Sequence, residues 1–434
     1  MNRNGSTNDD YAFSRVPLHA RFDLLSIVLI RVGGLAALSQ FMLGATLGHA
    51  MTFSQAMLAT LLGSLILEFV GLWMGMAGSR EGLPTSLLAR WCGFGRVGSI
   101  FIGIAIVISG LGWLCMQNSI LAEGLVYATN GHLNFGWAAA ISGMSLTVLV
   151  AFGFKALSWT AKITVPLFFA VIGWILFDLL RGHNIANLIA VAPTGTPLTL
   201  GAAATAIAGS YIVGAIITPD ISRYCQNRRD VFWMMTITII IGEFIVNGIA
   251  ILVAHTLNTA DVVTIMTQSA GLIGLLTIIL SAVKVNDVIL YSVSLAVTNV
   301  IEGITGKIWR YTWITLILGT ISTVISTIDI LDKFTDFLIL LGVLFPPIAG
   351  VMLVDYYILL TSRELLDTSR AKGNLPTAES TPSIGWPAII SWIAGSLVGL
   401  TIEQGIPSLN SLLAASIIYW TICTVRKVHS TKMR

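Results

Sequence analysis

Lys284, Asn286 and Asp287 sit together in Ser281-Ala-Val-Lys-Val-Asn-Asp-Val-Ile-Leu-Tyr291, a stretch otherwise apolar enough to cross a membrane. The lysine offers three donors and a positive charge, the asparagine both a donor and an acceptor, and the aspartate acceptor oxygens. A charged side chain at bilayer depth costs at least ~2.5–3.5 kcal/mol, so such groups usually face a polar cavity and mark a pathway or a site. Chemistry of this kind suits a conduit or carrier. Smaller signals accompany it. Glu68 and Glu243 fall within apolar segments and belong either to a proton path or to polar pairing inside the bundle, the second being the simpler reading. Arg31 lies close enough to the start of its segment to snorkel to the headgroups. Asp220 and Arg223 read as a gate or capping pair.

These groups must be positioned by membrane-spanning helices. The 434 residues are 55% hydrophobic and only 10% charged, against about 25% charged in soluble domains. A span needs ~20 mostly apolar residues, and twelve candidates occur, near 24–48, 54–78, 98–128, 134–153, 157–180, 198–219, 231–255, 269–299, 311–329, 335–360, 386–404 and 407–425. With the N-terminus inside, twenty of the 24 Lys and Arg residues fall in cytoplasmic loops or tails. Only Arg181 and Lys333 fall outside, while Arg31 and Lys284 lie within spans. Basic residues accumulate on the cytoplasmic side, so both termini are expected there, with cytoplasmic tails over 1–23 and 426–434 and one membrane domain over 24–425. The polar stretch Met1 to Asp23 does not read as a secretory signal, so the first span is expected to direct insertion. The four cysteines show neither paired nor metal-ligand spacing. The net charge of +3 gives no indication of nucleic acid binding.

Two spans carry glycines that would loosen a helix: Gly33-Gly34 and Gly44 in the first, Gly209-Ser210-Tyr211 and Gly214 in the sixth. Carbonyls freed at membrane depth must be satisfied by protein, water or a cation. Their separation by five spans is what inverted five-helix repeats with discontinuous first helices would give. Close helix packing through small residues accounts equally well for the same glycines.

The motifs in chain order resemble the nucleobase:cation symporter-1 family, most closely its cytosine permease branch. They are Gly112-Trp113, Gly209-Ser210-Tyr211 with Pro219-Asp220-Ile221-Ser222-Arg223-Tyr224, Asn286-Asp287 with Leu290-Tyr291, and Phe345-Pro346-Pro347-Ile348-Ala349-Gly350 with Asp355-Tyr356. Thr46-Leu47-Gly48 and Leu87-Leu88-Ala89-Arg90 add to the likeness, which runs from about 20 to 425.

That resemblance implies an all-α integral membrane transporter of twelve helices with a LeuT-like fold. Two inverted five-helix repeats, about 24–180 and 198–360, would be joined by two peripheral helices over 386–425. Substrate would sit near the midplane between spans one, three, six and eight. By motif position, Trp113 resembles the aromatic that stacks on a planar heterocycle, Tyr211 the opposing aromatic, and Asn286 the amide at the ring edge. Ser210 and Ala37 join the substrate-binding set on the same basis. The chemistry is coherent, since a flat base offers two apolar faces and a donor and acceptor rim. Gln117 follows Trp113 by four residues and shares its helical face. Trp-x-x-x-Gln is closer to the hydantoin-transporting branch; the cytosine branch has its amide before the tryptophan, where this chain has Gly110.

In sodium-coupled members, small hydroxyl residues of the eighth span ligate sodium; here the corresponding pair is Lys284 and Val285. Lysine has no acceptor and carries its own charge, and valine has no side-chain ligand, so a sodium site is expected to be lost. The ammonium could instead bond the carbonyls of Gly33, Ala36 and Ser281, tying span one to span eight. Burial disfavours the charged form of a lysine, so a proton gained and lost there would convert sodium coupling into proton coupling, with Asp287 as a possible partner. A lysine that stays charged would leave uniport or exchange. A simple Lys284–Asp287 pair at i, i+3 is the structural alternative.

Gly93-Phe94-Gly95-Arg96-Val97-Gly98 fits a dinucleotide-binding pattern, but no strand precedes it, so it reads as a turn. Neither a P-loop nor a zincin or nucleophile-elbow motif occurs, so no cofactor and no enzyme activity is expected. A secondary transporter importing a nucleobase-like heterocycle across the cytoplasmic membrane is the favoured function, with the proton as coupling ion. A passive channel, or a uniporter or exchanger for hydantoin, allantoin or hydroxymethylpyrimidine, is the alternative.

Overall fold

The computed structural model describes residues 11, 14–35, 37–152, 157–305, 309–377 and 381–432, and the described residues are almost entirely helical. In chain order the main helices are α1 (Leu24–Leu35), α2 (Leu38–Ala50), α3 (Phe53–Glu81), α4 (Gly95–Ala128), α5 (Phe135–Phe152), α6 (Leu157–Gly182) and α7 (Leu200–Ile216). They continue with α8 (Arg228–Leu257), α9 (Val262–Thr305), α10 (Tyr311–Ser326), α11 (Leu331–Leu359), α12 (Arg363–Ala371), α13 (Trp386–Thr401) and α14 (Pro407–Lys432). Each of the twelve expected apolar segments is helical. Among the described residues eight helices are long and apolar enough to cross a membrane, α1 and α2 together form a ninth candidate, and α7, α10 and α13 are shorter apolar helices.

Local chemistry sets the ends of these helices. Thr52 and Gln55 form a reciprocal capping box at the start of α3, and Gly82, at φ 64°, closes its other end. Gly271, at φ 54° and ψ −134°, breaks the long run of α9, a conformation open to glycine because it lacks a Cβ. The Gly93–Gly98 motif is a backbone kink at Gly93, φ 93°, running into the first turn of α4, where the amides of Arg96 and Val97 donate to the carbonyls of Pro382 and Ser383. Loop backbone therefore occupies the position a phosphate would need.

The helices pack as an interleaved bundle, with α2 along α8, α3 along α7, α4 along α9, and α11 against α7. Large apolar side chains such as Leu25, Phe101, Ile108, Trp137 and Leu272 face outward, as a surface solvated by lipid requires. Two large apolar clusters fill the interior, one around α2, α6 and the second half of α8, the other around α3, α11 and α14. Trp113 and Phe337 pack against both. On one face, Glu81 is fully buried and receives Arg15 at 3.0 Å, Arg370 at 2.7 Å and the Tyr356 hydroxyl at 2.7 Å. That carboxylate joins the N-terminal segment, α3, α11 and α12.

The two glycine-bearing segments behave differently. The break in the first falls just after Gly33-Gly34, where the axes on either side differ by 59°. In the sixth, α7 runs unbroken through Gly209, Ser210, Tyr211 and Gly214 and stops only at Ile217. Gly209 is there for packing, since a Cβ would lie 1.7 Å from the Leu338 carbonyl oxygen. Gly44 is likewise pressed against Asn247 and Ala250 of α8. Close approach explains both, so the expected interruption at 209–214 is corrected to one at Ile217.

Candidate functional site

The end of α1 leaves backbone carbonyls without partners in their own helix, as every helix C-terminus does. The ammonium of Lys284, on α9 and 6% exposed, donates to the carbonyl of Gly33. A cation is favoured there because helix dipoles place partial negative charge at the C-terminus. Ala37 follows in extended conformation, at φ −132° and ψ 145°, and starts α2 without a side-chain cap. Ala36, expected as a further Lys284 acceptor, lies outside the described residues. Ser281 takes no hydrogen bond from Lys284, and its buried hydroxyl has no partner among the described residues. Nor is an i, i+3 ion pair with Asp287 seen: Asp287 is buried and, among the described residues, its Oδ1 has no hydrogen-bond partner. Lys284 is turned toward α1 instead.

On α4, Trp113 meets the rings of Phe334 and Phe337 edge to face, with centroids 6.4 and 5.4 Å away. One turn later Gln117, buried, donates from Nε2 to the Ser39 hydroxyl of α2 at 2.9 Å. The i, i+4 spacing thus directs one face of α4 at α2 and α11. On α7, Ser210 donates to its own helix at Ile207 O, 2.7 Å away, and its Oγ lies 3.4 Å from Oε1 of Glu243. The Tyr211 ring carries the guanidinium of Arg31 over its face at 4.9 Å. Trp113 and Tyr211 border the same apolar cluster.

Arg31 does not snorkel. It is 2% exposed and donates to Gly214 O and the Thr218 hydroxyl, both at 2.8 Å. The Gly214 carbonyl, the Thr218 hydroxyl and the tyrosine face draw it inward, which its distance from the predicted span boundary could not reveal. Glu68 accepts from Thr236 at 2.8 Å, the simple polar pairing expected of it. Asp220 caps the Thr85 amide at 2.7 Å, while Arg223 bonds the Tyr11 carbonyl.

Asn286 is placed apart from this group. With Leu114, Asn118, Thr147, Ser322 and Thr323 it lines a cavity between α4, α5, α9 and α10 that has room for water. It is 3% exposed, and among the described residues neither its Oδ1 nor its Nδ2 has a partner. Leu114 and Asn118 each follow Trp113 and Gln117 by one residue, which rotates them to the neighbouring face of α4. The sequence reading placed Asn286 at one site with Trp113 and Gln117.

It also passed over Ser39, Gln40 and Asn247. Gln40 donates to Glu243 Oε2 at 2.8 Å and to Asn247 Oδ1 at 3.0 Å, and Asn247 donates to Glu243 Oε2 at 3.2 Å. Two signals were available: adjacent polar residues just past the glycine pair, and the i, i+4 spacing of Glu243 and Asn247. Among the described residues no His, Cys, Asp or Glu cluster could hold a metal ion.

The sequence signature of the family described as "Permease for cytosine/purines, uracil, thiamine, allantoin" matches residues 22–422. Cytosine permease of Escherichia coli (strain K12) is 26% identical over 415 residues, covering 95% of this chain and 94% of the relative. Among solved structures, Mhp1 in an inward-facing conformation has a TM-score of 0.82 at 15% identity, covering 96% of this chain and 93% of that one. Mhp1 closed around bromovinylhydantoin, titled a nucleobase-cation-symport-1 family transporter, scores 0.72 at 17% identity, covering 97% and 96%. A Na+-coupled sialic acid symporter scores 0.63 at 12% identity, covering 96% and 92%. At these identities the structures speak for the fold, which is all-helical and LeuT-like.

Proposed function

The chain belongs to the nucleobase:cation symporter-1 family, in its cytosine permease-like branch, and from that membership we propose that it imports a nucleobase-like heterocycle by alternating access, driven by protons rather than sodium. It is a multi-pass membrane transporter, not an enzyme. In this reading Trp113 and Tyr211 flank a flat ring, Gln117 and Ser210 supply polar contacts, and Ala37 lines the break in the first span. Asn286 is assigned to the ring edge on the family resemblance; its amide has hydrogen-bonding capacity to spare, although it lines the neighbouring cavity in this structure. The bias of basic residues supports a cytoplasmic membrane location with both termini inside.

One observation carries the coupling: the Lys284 ammonium bonds the Gly33 carbonyl beside the bend between α1 and α2. A tethered cation there does the structural work of a bound metal, and its charge can be removed by a proton leaving. Asp287, buried on the same helix, is the proposed proton partner.

Counterflow tests the carrier. Proteoliposomes preloaded with unlabelled cytosine should transiently accumulate labelled cytosine, and a parallel set with adenine, uracil, hydantoin and allantoin ranks the substrates. Equilibration without overshoot for every compound would indicate a channel. An inward proton gradient should drive accumulation while a sodium gradient does not; a response to neither would leave uniport or exchange.

A further inference from the structure

Glu243 is 0% exposed, and among the described residues no lysine or arginine forms an ion pair with it. Its backbone lies in a π-helical turn, Ile240–Ile245, within α8. Such turns are rare and occur often at functional sites. The two carboxyl oxygens have unlike surroundings. Oε2 accepts from the amides of Gln40 on α2 and Asn247 on α8, at 2.8 and 3.2 Å. Among the described residues Oε1 faces only the Ser210 hydroxyl of α7, at 3.4 Å.

Ser210 has one proton to donate, and the Ile207 carbonyl at 2.7 Å is a much closer acceptor than Glu243 Oε1 at 3.4 Å. The Ser210 lone pairs remain available as acceptors. A carboxylate at Glu243 therefore receives two good donors on Oε2 and nothing comparable on Oε1. A carboxylic acid completes the arrangement: Oε1–H donates to Ser210, Ser210 donates to Ile207, and Oε2 keeps both amides. A buried charge without a cation is costly, whereas a neutral acid with every polar group satisfied is not.

We infer that Glu243 binds and releases a proton during transport, and that Ser210 conveys the change to the substrate site. On uptake Oε1 gains H+ and the carboxylate charge falls to zero; on release the charge returns and the Oε1–Ser210 bond is lost. The site touches the elements that border the proposed substrate position, with Gln40 next to Ser39 on α2 and Ser210 next to Tyr211 on α7. The inference rests on the carrier reading but not on Lys284. The titratable and charged groups on the elements around Glu243 are Arg31 on α1, His49 on α2, Glu68, Arg80 and Glu81 on α3, Tyr211 on α7, and Arg228, Arg229, Asp230 and His255 on α8; Arg228 to Asp230, Arg80 and Glu81 sit at the far ends of their helices. Arg31 is engaged with Gly214, Thr218 and Tyr211, Glu68 with Thr236, and His255 with Leu188 O and Met51 O. Lys284 reaches the carbonyl of Gly33 on α1.

Infrared difference spectroscopy of the full chain in lipid, stepped between acid and alkaline pH, tests this without needing a substrate. The expected result is a carboxylic C=O band that disappears on alkalinisation in the unaltered protein and is missing from Glu243→Gln. Ser210→Ala, which removes the acceptor of the proposed O–H, should weaken the band at a given pH. Gln40→Leu, which removes a donor to Oε2, should strengthen it. Glu243→Asp gives a second reading if the glutamine variant does not fold. A pH-difference spectrum identical in the unaltered protein and whichever Glu243 variant folds overturns the inference. Absence of cytosine counterflow would count against cytosine as the substrate and leave this titration intact, so the two failures are distinguishable.

Discussion

Gln117 of α4 gives its amide hydrogen to the hydroxyl of Ser39 on α2 at 2.9 Å, with both side chains buried. This bond fixes the third span to the part of the first that lies beyond its bend. Ser39→Ala should leave a buried amide without its acceptor and destabilise the protein by about 1–3 kcal/mol. Ser39→Ala combined with Gln117→Leu should cost less than the sum of the single changes. Thermal unfolding in detergent measures both; strict additivity would show that the two side chains do not depend on one another.

Lys284→Ala removes the ammonium at the Gly33 carbonyl. Gradient-driven accumulation in proteoliposomes should be abolished or uncoupled, with a much smaller effect on substrate affinity. Accumulation that continues at the unaltered level would make the lysine purely structural. Strict sodium dependence of the unaltered protein would remove the proposed role altogether.

Gly209→Ala and Gly103→Ala form a matched pair. The first Cβ would sit 1.7 Å from Leu338 O, while the second has nothing within 4 Å. Overpacking of this kind typically costs about 1–3 kcal/mol, so Gly209→Ala should lower thermal stability and Gly103→Ala should not. Equal stability of the two would mean that α7 and α11 separate without penalty.

Asp367, on the α12 surface helix, gives a pH dependence with a definite sign. Partial desolvation works to raise its carboxyl, but the hydrogen bond and charge of Arg370, with Arg80 and Arg363 nearby, hold it below the ordinary aspartate value. A carboxyl depressed in the folded state contributes stability above its unfolded value and loses it as pH falls through the folded one. Amide hydrogen exchange in 363–371, corrected for intrinsic rates, should therefore accelerate on acidification below the ordinary aspartate range. Asp367→Asn should show the faster exchange already at neutral pH and lose that part of the acid response.

The helical segments, their lipid-facing character and the bend after Gly33-Gly34 were all legible in the chain, because apolar runs of that length have few other stable arrangements in a bilayer. The placement of Lys284 against the first span was expected through the family resemblance, which puts a cation position there; the physical reason it holds is that a buried ammonium needs carbonyls and a helix end supplies them. What the chain could not disclose was direction. Glycines at 209 and 214 serve equally for a break or a close contact, and only the position of α11 against Gly209 and of the Tyr211 ring against Gly214 decides between them. Asn286 and Gln117 are both polar residues on apolar helices, yet tertiary packing turns one toward a cavity beside α10 and the other toward Ser39. Arg31 points inward because an aromatic face, a carbonyl and a hydroxyl from residues nearly two hundred positions away converge on it. Long-range approach of this kind depends on how helices rotate against one another, a quantity that hydropathy, which is blind to the partner helix, does not contain.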